Sequence, residues 1–196
     1  MSVAERYYHR CNACFATFLE PSQRPDPASE KAEYDRHEND PRDPGYRRFL
    51  ARLSDALIPR LEPGARGLDF GCGPGPALAA MMNEAGFPTQ GYDPIYAAHD
   101  RLLSQSYDFI TCTEVVEHLY DPAGTFRLLD QCLQPGGLLG VMTCFQTDDE
   151  RFAGWHYRRD PTHVVFYREE TMRRVAAIRG WSCSIPRKDV AIFCKS

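Results

Sequence analysis

The chain has no run of roughly 18 consecutive apolar residues, the length a membrane-spanning helix needs, so no part of it reads as a span. Its opening, MSVAERYYHR, carries charges and aromatics where a secretory signal needs an apolar stretch ending in small residues, and nothing there marks export. A basic surplus is missing too. The formal net charge is -4, which argues against a protein dominated by contacts to a phosphate backbone and makes nucleic acid an unexpected partner. No internal repeat is visible. Cysteine is not scarce, at eight residues, but the pattern of a disulfide framework is lacking. Cys112, Cys132, Cys144, Cys183 and Cys194 are scattered through apolar stretches, as small buried hydrophobes are in a reducing compartment, and the expected setting is the cytoplasm.

What is present suits one compact core with a modest extension. The length is 196 residues, with 43% hydrophobic and 26% charged residues. Residues 1–45 are expected to form a Cys-x-x-Cys ribbon, a linker and a short helical extension that serves as a lid, and residues 46–196 the main domain. Charge is uneven: residues 151–196 hold ten Arg/Lys against four Asp/Glu, a local excess of +6, which leaves residues 1–150 at -10. The basic excess reads first as a solvated helix face and second as a rim for an anionic substrate.

Along the chain, residues 7–19 (YYHRCNACFATFL) predict a short β-ribbon appendage with a turn at Cys11-Asn-Ala-Cys14. Pro21, Pro25 and Pro27 predict an extended linker, followed by a polar helix from Ser29 to about Glu38. Phe49, Leu50, Leu53, Leu57, Ile58 and Leu61 recur at spacings of three and four, which predicts an amphipathic helix over 46–61. Strands are then expected over 66–70, 89–92, 107–112 and 138–144, with helices over 77–85 and 122–132 between them. This alternation implies right-handed βαβ units and a parallel sheet. A helix over 169–179 and strands over 181–185 and 190–194 close the chain, the last two as an antiparallel hairpin. The expected fold class is α/β, a doubly wound, mostly parallel sheet of about seven strands. Only fourteen residues separate Asp93 from Tyr107, too few for a helix, strand and second helix, so that edge is expected to be shortened.

Gly67-Leu-Asp-Phe-Gly-Cys-Gly-Pro-Gly-Pro76 couples a buried strand to a glycine-rich turn that opens a helix, the form of a ligand cradle. Its Gly-x-Gly-x-Gly spacing differs from the Gly-x-Gly-x-x-Gly of dinucleotide sites and favours a cofactor without a pyrophosphate. Asp93, at the end of the next strand, is placed to accept hydrogen bonds from the hydroxyls of a ribose.

With these motifs, Tyr107-Asp-Phe-Ile-Thr-Cys-Thr-Glu-Val-Val-Glu-His-Leu119 and the turn Leu133-Gln-Pro-Gly-Gly-Leu-Leu139, the sequence resembles the class I S-adenosylmethionine-dependent methyltransferases over residues 46–196. The resemblance implies methyl transfer from S-adenosylmethionine to a small-molecule acceptor, with S-adenosylhomocysteine as product. It implies Asp69, Gly71, Cys72, Gly73 and Gly75 around the methionine end of the cofactor, Asp93 on the ribose, and Thr113 with Glu114 beside the sulfonium.

Three features bear on the chemistry. Glu114, Glu117, His118 and the later His163 resemble the cation ligands of metal-dependent ubiquinone-pathway O-methyltransferases and small-RNA terminal 2′-O-methyltransferases, which implies a divalent ion such as Mg, Mn or Zn. The competing reading makes Glu117 and His118 a helix-start carboxylate and a packed imidazole. The loop Trp155-His-Tyr-Arg-Arg-Asp-Pro-Thr-His163 offers His156 or His163 as a general base and Trp155 or Tyr157 as a stacking surface for a flat substrate, or else packs on the core. Cys11 and Cys14 look like half of the zinc knuckle of related bacterial methyltransferases. A tetrahedral zinc would need His9, His37 or another molecule, so a vestigial knuckle is the expectation.

Overall fold

The computed structural model describes residues 1–36 and 40–196. Four parallel strands, β4 (Gly67–Phe70), β5 (Thr89–Tyr92), β6 (Tyr107–Thr113) and β7 (Leu133–Met142), lie in the order β5-β4-β6-β7. The antiparallel hairpin β9 (Ser182–Arg187) and β10 (Val190–Cys194) extends them at one edge, with β10 against β7. Among the described residues the sheet thus has six strands, the slightly reduced form of the sheet of about seven that was expected. The missing strand belongs to the shortened edge, where residues 94–106 form only a bridge from Asp93 to Ala97 and a 3-10 turn over Asp100–Ser104.

Alternation along the strands divides the core between two helical layers. Phe109, Met142 and Ile192 face helix α2 (Pro44–Leu57) and helix α3 (Ala77–Glu84), through Leu50, Leu53, Leu57, Leu78 and Met82. Their chain neighbours Ile110, Val141 and Phe193 share the opposite cluster with Phe126 and Leu129 of helix α4 (Pro122–Cys132) and Met172 and Ala176 of helix α5 (Glu169–Arg179). Helix α2 starts at Pro44, whose fixed φ suits the first turn, behind an Asp43 side chain that accepts from the Tyr46 amide.

The ribbon is built into this core and is not an appendage. Strands β1 (Ser2–Val3), β2 (Arg6–Arg10) and β3 (Thr17–Leu19) form an antiparallel set that continues onto β8 (Val165–Phe166), just after the loop that follows β7. Tyr8 and Leu19 are buried in the same cluster as Phe152 and Phe166. Helix α1 (Pro27–Tyr34) follows, capped by the Asp26 carboxylate, and buries no residue of its own. The end predicted for this helix, at Glu38, lies outside the described residues. All eight cysteines are unpaired thiols. No described helix is long and apolar enough to cross a membrane.

Candidate active site

A cleft of about 890 Å³ opens at the carboxyl ends of β4, β5 and β6, where open α/β sheets receive their ligands. One wall is backbone. At the end of β4 the chain turns through Gly71 (φ +77°) and Gly73 (φ +64°), both left-handed. A Cβ on Gly71 would stand 2.3 Å from Val115 Cγ2, so the turn closes against the chain leaving β6. The Gly73 amide donates to Asp93 Oδ2 at 3.0 Å, while Asp93 Oδ1 accepts from the amides of Ile95 and Tyr96 at 2.8 and 3.0 Å. Asp93 therefore joins the glycine turn to the shortened edge, and Pro94, Ile95 and Tyr96 continue the wall.

Of the residues expected at a cofactor, Gly71, Cys72, Gly73, Asp93, Thr113 and Glu114 line the cleft. Thr113 Oγ1 is buried without a hydrogen-bond partner, a polar atom left for a ligand. Gly75 is buried behind the turn, outside the cleft wall. Asp69 also lies behind it, where its carboxylate accepts from Thr111 Oγ1 at 2.7 Å and from the Ala79 amide. Burial pushes the Asp69 carboxyl up to about 6.

The opposite wall is made of side chains. Glu114, the residue after β6, has a left-handed conformation (φ +51°), a strained geometry for a residue with a Cβ and one that clusters at functional sites. The chain then forms a 3-10 turn over Val116–His118, which buries Glu117 completely. From the loop after β7, Tyr157 donates to Glu117 Oε1 at 2.5 Å and lies 3.1 Å from Glu114 Oε2. Burial, aided by the Glu117 charge, pushes Glu114 up to about 9, and burial pushes Glu117 up as well. Glu117 Oε2 has no partner.

Two imidazoles meet this carboxylate. His163 Nδ1 donates to the Tyr157 carbonyl at 2.7 Å and His118 Nδ1 to the Thr162 carbonyl at 3.1 Å. A carbonyl only accepts, so both rings carry their proton on Nδ1. The His118 and His163 ring centroids are 4.8 Å apart, and His118 Nε2 lies 3.9 Å from Glu117 Oε1. Ligand atoms of Glu117, His118 and His163 all fall within 4.8 Å of one another. Burial holds the His163 imidazole below its usual value, so it faces the cleft as a neutral ring. Imidazoles fixed through Nδ1 by carbonyls, beside a buried carboxylate oxygen with nothing to bind, form a donor set that fits a divalent cation.

Apart from His163, the loop after β7 takes the second of its two expected forms and packs on the core. His156 is exposed and outside the cleft, because the 3-10 turn over His156–Arg159 directs its neighbour Tyr157 inward. Trp155 and Tyr157 do not stand open to a flat substrate. Trp155 packs against Phe152 and Phe166 with ring centroids at 6.3 and 5.8 Å, and Tyr157 is buried with its hydroxyl on the carboxylates.

Helix α1 stands at the mouth of the cleft, the place expected of an N-terminal helical lid. Glu30, Lys31 and Tyr34 line it, and the Tyr34 ring meets His118 edge-on at 5.1 Å. A helix that buries nothing leaves no apolar signal of where it docks. At the ribbon tip, amides of Cys14 and Ala13 face the Cys11 sulfur, but His9 is engaged by Glu20 at 2.7 Å. Among the described residues no third donor joins the two thiols, and His37 lies outside them.

Residues 34–183 match the family model of the methyltransferase domain. A ubiquinone biosynthesis O-methyltransferase of Yersinia pestis (strain Pestoides F) is 32% identical over 93 residues, covering 36% of this chain and 38% of that protein. The chain thus spans well under half the length of the curated relatives it matches. Among solved structures, a Burkholderia thailandensis 1,6-didemethyltoxoflavin-N1-methyltransferase with bound S-adenosylhomocysteine superposes with a TM-score of 0.62 at 16% identity, over 98% of this chain and 100% of that one. An S-adenosylmethionine-dependent methyltransferase from Archaeoglobus fulgidus gives 0.58 at 20% identity, over 87% and 100%. At these identities the two structures speak for the fold.

Proposed function

The chain belongs to the methyltransferase-domain family, with the class I S-adenosylmethionine-dependent fold, and from that premise we propose that it methylates a hydroxyl oxygen of a small aromatic acceptor beside a divalent cation. The observation that carries the cation is Glu117 Oε2, a buried carboxylate oxygen without a partner, in a cluster whose other members are two imidazoles. Glu117, His118 and His163 would hold the ion, with Glu114 next to them. A bound cation would fix an acceptor hydroxyl and lower its pKa.

The remaining work falls to this chain's own residues. Methyl transfer is a displacement at carbon, so its rate depends on holding donor and acceptor in line. Gly71 and Gly73 give the methionine end of the cofactor close access to the backbone, Asp93 faces the ribose, and Thr113 Oγ1 is the polar atom left beside the sulfonium. Tyr34, Tyr46, Phe49 and Leu119 give the mouth an apolar, aromatic lining suited to a phenolic ring, and α1 excludes water above it. The O-methyltransferase relative supports oxygen as the acceptor atom. We read the Cys11/Cys14 turn as a vestigial half-knuckle with no part in the transfer.

Calorimetric titration of S-adenosylmethionine and S-adenosylhomocysteine into wild type, Asp93→Ala and His163→Ala, with and without EDTA, tests this together with methyl transfer to catechol. Asp93→Ala is expected to weaken cofactor binding at least about tenfold, the order for losing a charged hydrogen-bond acceptor. EDTA and His163→Ala are expected to leave cofactor binding intact and abolish turnover. Turnover indifferent to EDTA but lost in His163→Ala would remove the cation and leave His163 as a general base, and turnover indifferent to both would remove either role. Cofactor binding without turnover of any hydroxyl acceptor would favour a non-catalytic binding protein.

A further inference from the structure

Tyr157 touches more of the donor cluster than any expectation from its sequence position suggested. Its hydroxyl lies 2.5 Å from Glu117 Oε1, 3.1 Å from Glu114 Oε2 and 3.0 Å from Thr143 Oγ1. Its main-chain carbonyl receives the Nδ1 proton of His163 at 2.7 Å, and its ring centroid is 4.1 Å from that imidazole. One residue thus grips a carboxylate delivered by the 3-10 turn after β6 and an imidazole delivered by its own loop.

The phenol has a single proton to give, and the shortest contact assigns it to Glu117 Oε1. Oε1 is thereby occupied, and the oxygen left without a partner is Oε2. The main-chain contact acts on the second donor in the same sense. With its Nδ1 proton held by a carbonyl, His163 keeps Nε2 as a lone pair, with its ring plane set by the same residue. A packing role alone would require only the ring, which lies against Trp155 at 5.2 Å. The hydroxyl contacts lie beyond what packing needs.

We propose that Tyr157 is the positioning residue of the cation site, its hydroxyl selecting which oxygen of Glu117 is presented and its carbonyl fixing the tautomer of His163. The inference rests on the cation reading above. It predicts that Tyr157→Phe, which keeps the ring and the carbonyl and removes only the hydroxyl, weakens the cation site without touching the cofactor wall.

The test is titration of Mn²⁺, with free ion followed by electron paramagnetic resonance, into wild type, Tyr157→Phe and His163→Ala, alongside S-adenosylhomocysteine affinity as the check on folding. Expected is a loss of Mn²⁺ affinity of about 10- to 100-fold in Tyr157→Phe, the range for losing a partner that orients a metal ligand, with S-adenosylhomocysteine affinity within about twofold of wild type. Mn²⁺ affinity unchanged in Tyr157→Phe but lost in His163→Ala would overturn the role of Tyr157 and leave the cation reading standing. No Mn²⁺ binding by wild type, or binding that His163→Ala does not alter, would overturn both. If Tyr157→Phe fails to bind S-adenosylhomocysteine, Thr143→Val decides in its place. That variant removes the neutral partner of the phenol, and a loss of about threefold or more supports the inference while unchanged affinity overturns it.

Discussion

The two walls of the cleft are built from different materials. The wall proposed for the cofactor comes from two short stretches, residues 71–74 and 93–96, and much of it is backbone: left-handed glycines and amides converging on Asp93. The donor wall gathers Glu114, Glu117, His118, Thr143, Tyr157 and His163 from three separate stretches, and its work is done by buried, ionisable side chains. A wall of backbone fails when an atom is added, because it has no rotamer with which to yield. A wall of buried charge fails when a partner is removed, because each remaining group then lacks compensation.

The sharpest way to break the contrast is at the seam. Gly71 of the first wall lies under Val115 of the second, and Gly71→Ala adds a Cβ 2.3 Å from Val115 Cγ2 at a φ of +77°. A left-handed alanine costs about 1–2 kcal/mol and forced overpacking about 1–3 kcal/mol, together about 4 kcal/mol. Thermal unfolding is expected to fall by about 12 °C for a chain of this size. Because Val115 stands between Glu114 and Glu117, Mn²⁺ and S-adenosylhomocysteine affinities should fall together. A variant within about 1 kcal/mol of wild type would mean that the walls are not sterically joined.

The next test asks what the backbone wall conceals. Asp69 is the one buried carboxylate among the residues expected at the cofactor that lies behind the glycine turn, and its carboxyl rises from 3.8 to about 6 because burial disfavours the charge. A raised acid binds its proton more tightly when folded. Its contribution to stability is fully present below about pH 4 and is lost as pH rises through about 6, after which the ionised group costs about 3 kcal/mol. Asp69→Asn carries no such charge. Urea unfolding should show the variant matching wild type near pH 4 and exceeding it by up to about 3 kcal/mol at pH 7.5. A difference that stays flat with pH would show that the Thr111 and Ala79 hydrogen bonds offset the burial.

The contrast also explains what the sequence disclosed. A backbone wall is built from short local motifs, so its glycines, its Asp93 and the strand–turn–helix around them could be read in order, as could five of the six sheet strands to within about two residues at their ends. The sixth, β7, starts at Leu133, five residues earlier than expected, because its turn pairs on as part of the ladder. The donor wall was legible only as residue types. Glu117, His118 and His163 stood out by their chemistry, but no spacing showed that Tyr157 turns inward while His156 turns to solvent, because an irregular 3-10 turn has no period to read. Helix α1 was visible as an N-terminal lid, and the contacts that hold it were not. Its hold on the protein is polar and half-exposed, the kind of contact that leaves no hydrophobic pattern.

That helix spans both walls, and it carries the smallest of the expected effects. On the donor side the Tyr34 ring meets His118, and the chain leading into α1 is held by Tyr120, whose hydroxyl donates to the Pro25 carbonyl at 2.6 Å. On the cofactor side the Lys31 ammonium lies over the Tyr96 ring at 5.3 Å, and the Tyr96 hydroxyl donates to Asp35 Oδ1 at 2.6 Å. Tyr96→Phe removes that hydrogen bond and leaves the ring under Lys31. A net exposed hydrogen bond is worth little, so amide exchange over residues 27–34 should quicken about two- to threefold, and S-adenosylhomocysteine should leave faster by a similar factor. Mn²⁺ affinity should not move, since the lost contact is on the other wall. If exchange is unchanged, the hold on α1 lies at Tyr34 and Tyr120, and the helix belongs to the donor wall alone. The cofactor would then meet an edge that opens without disturbing the side chains behind it.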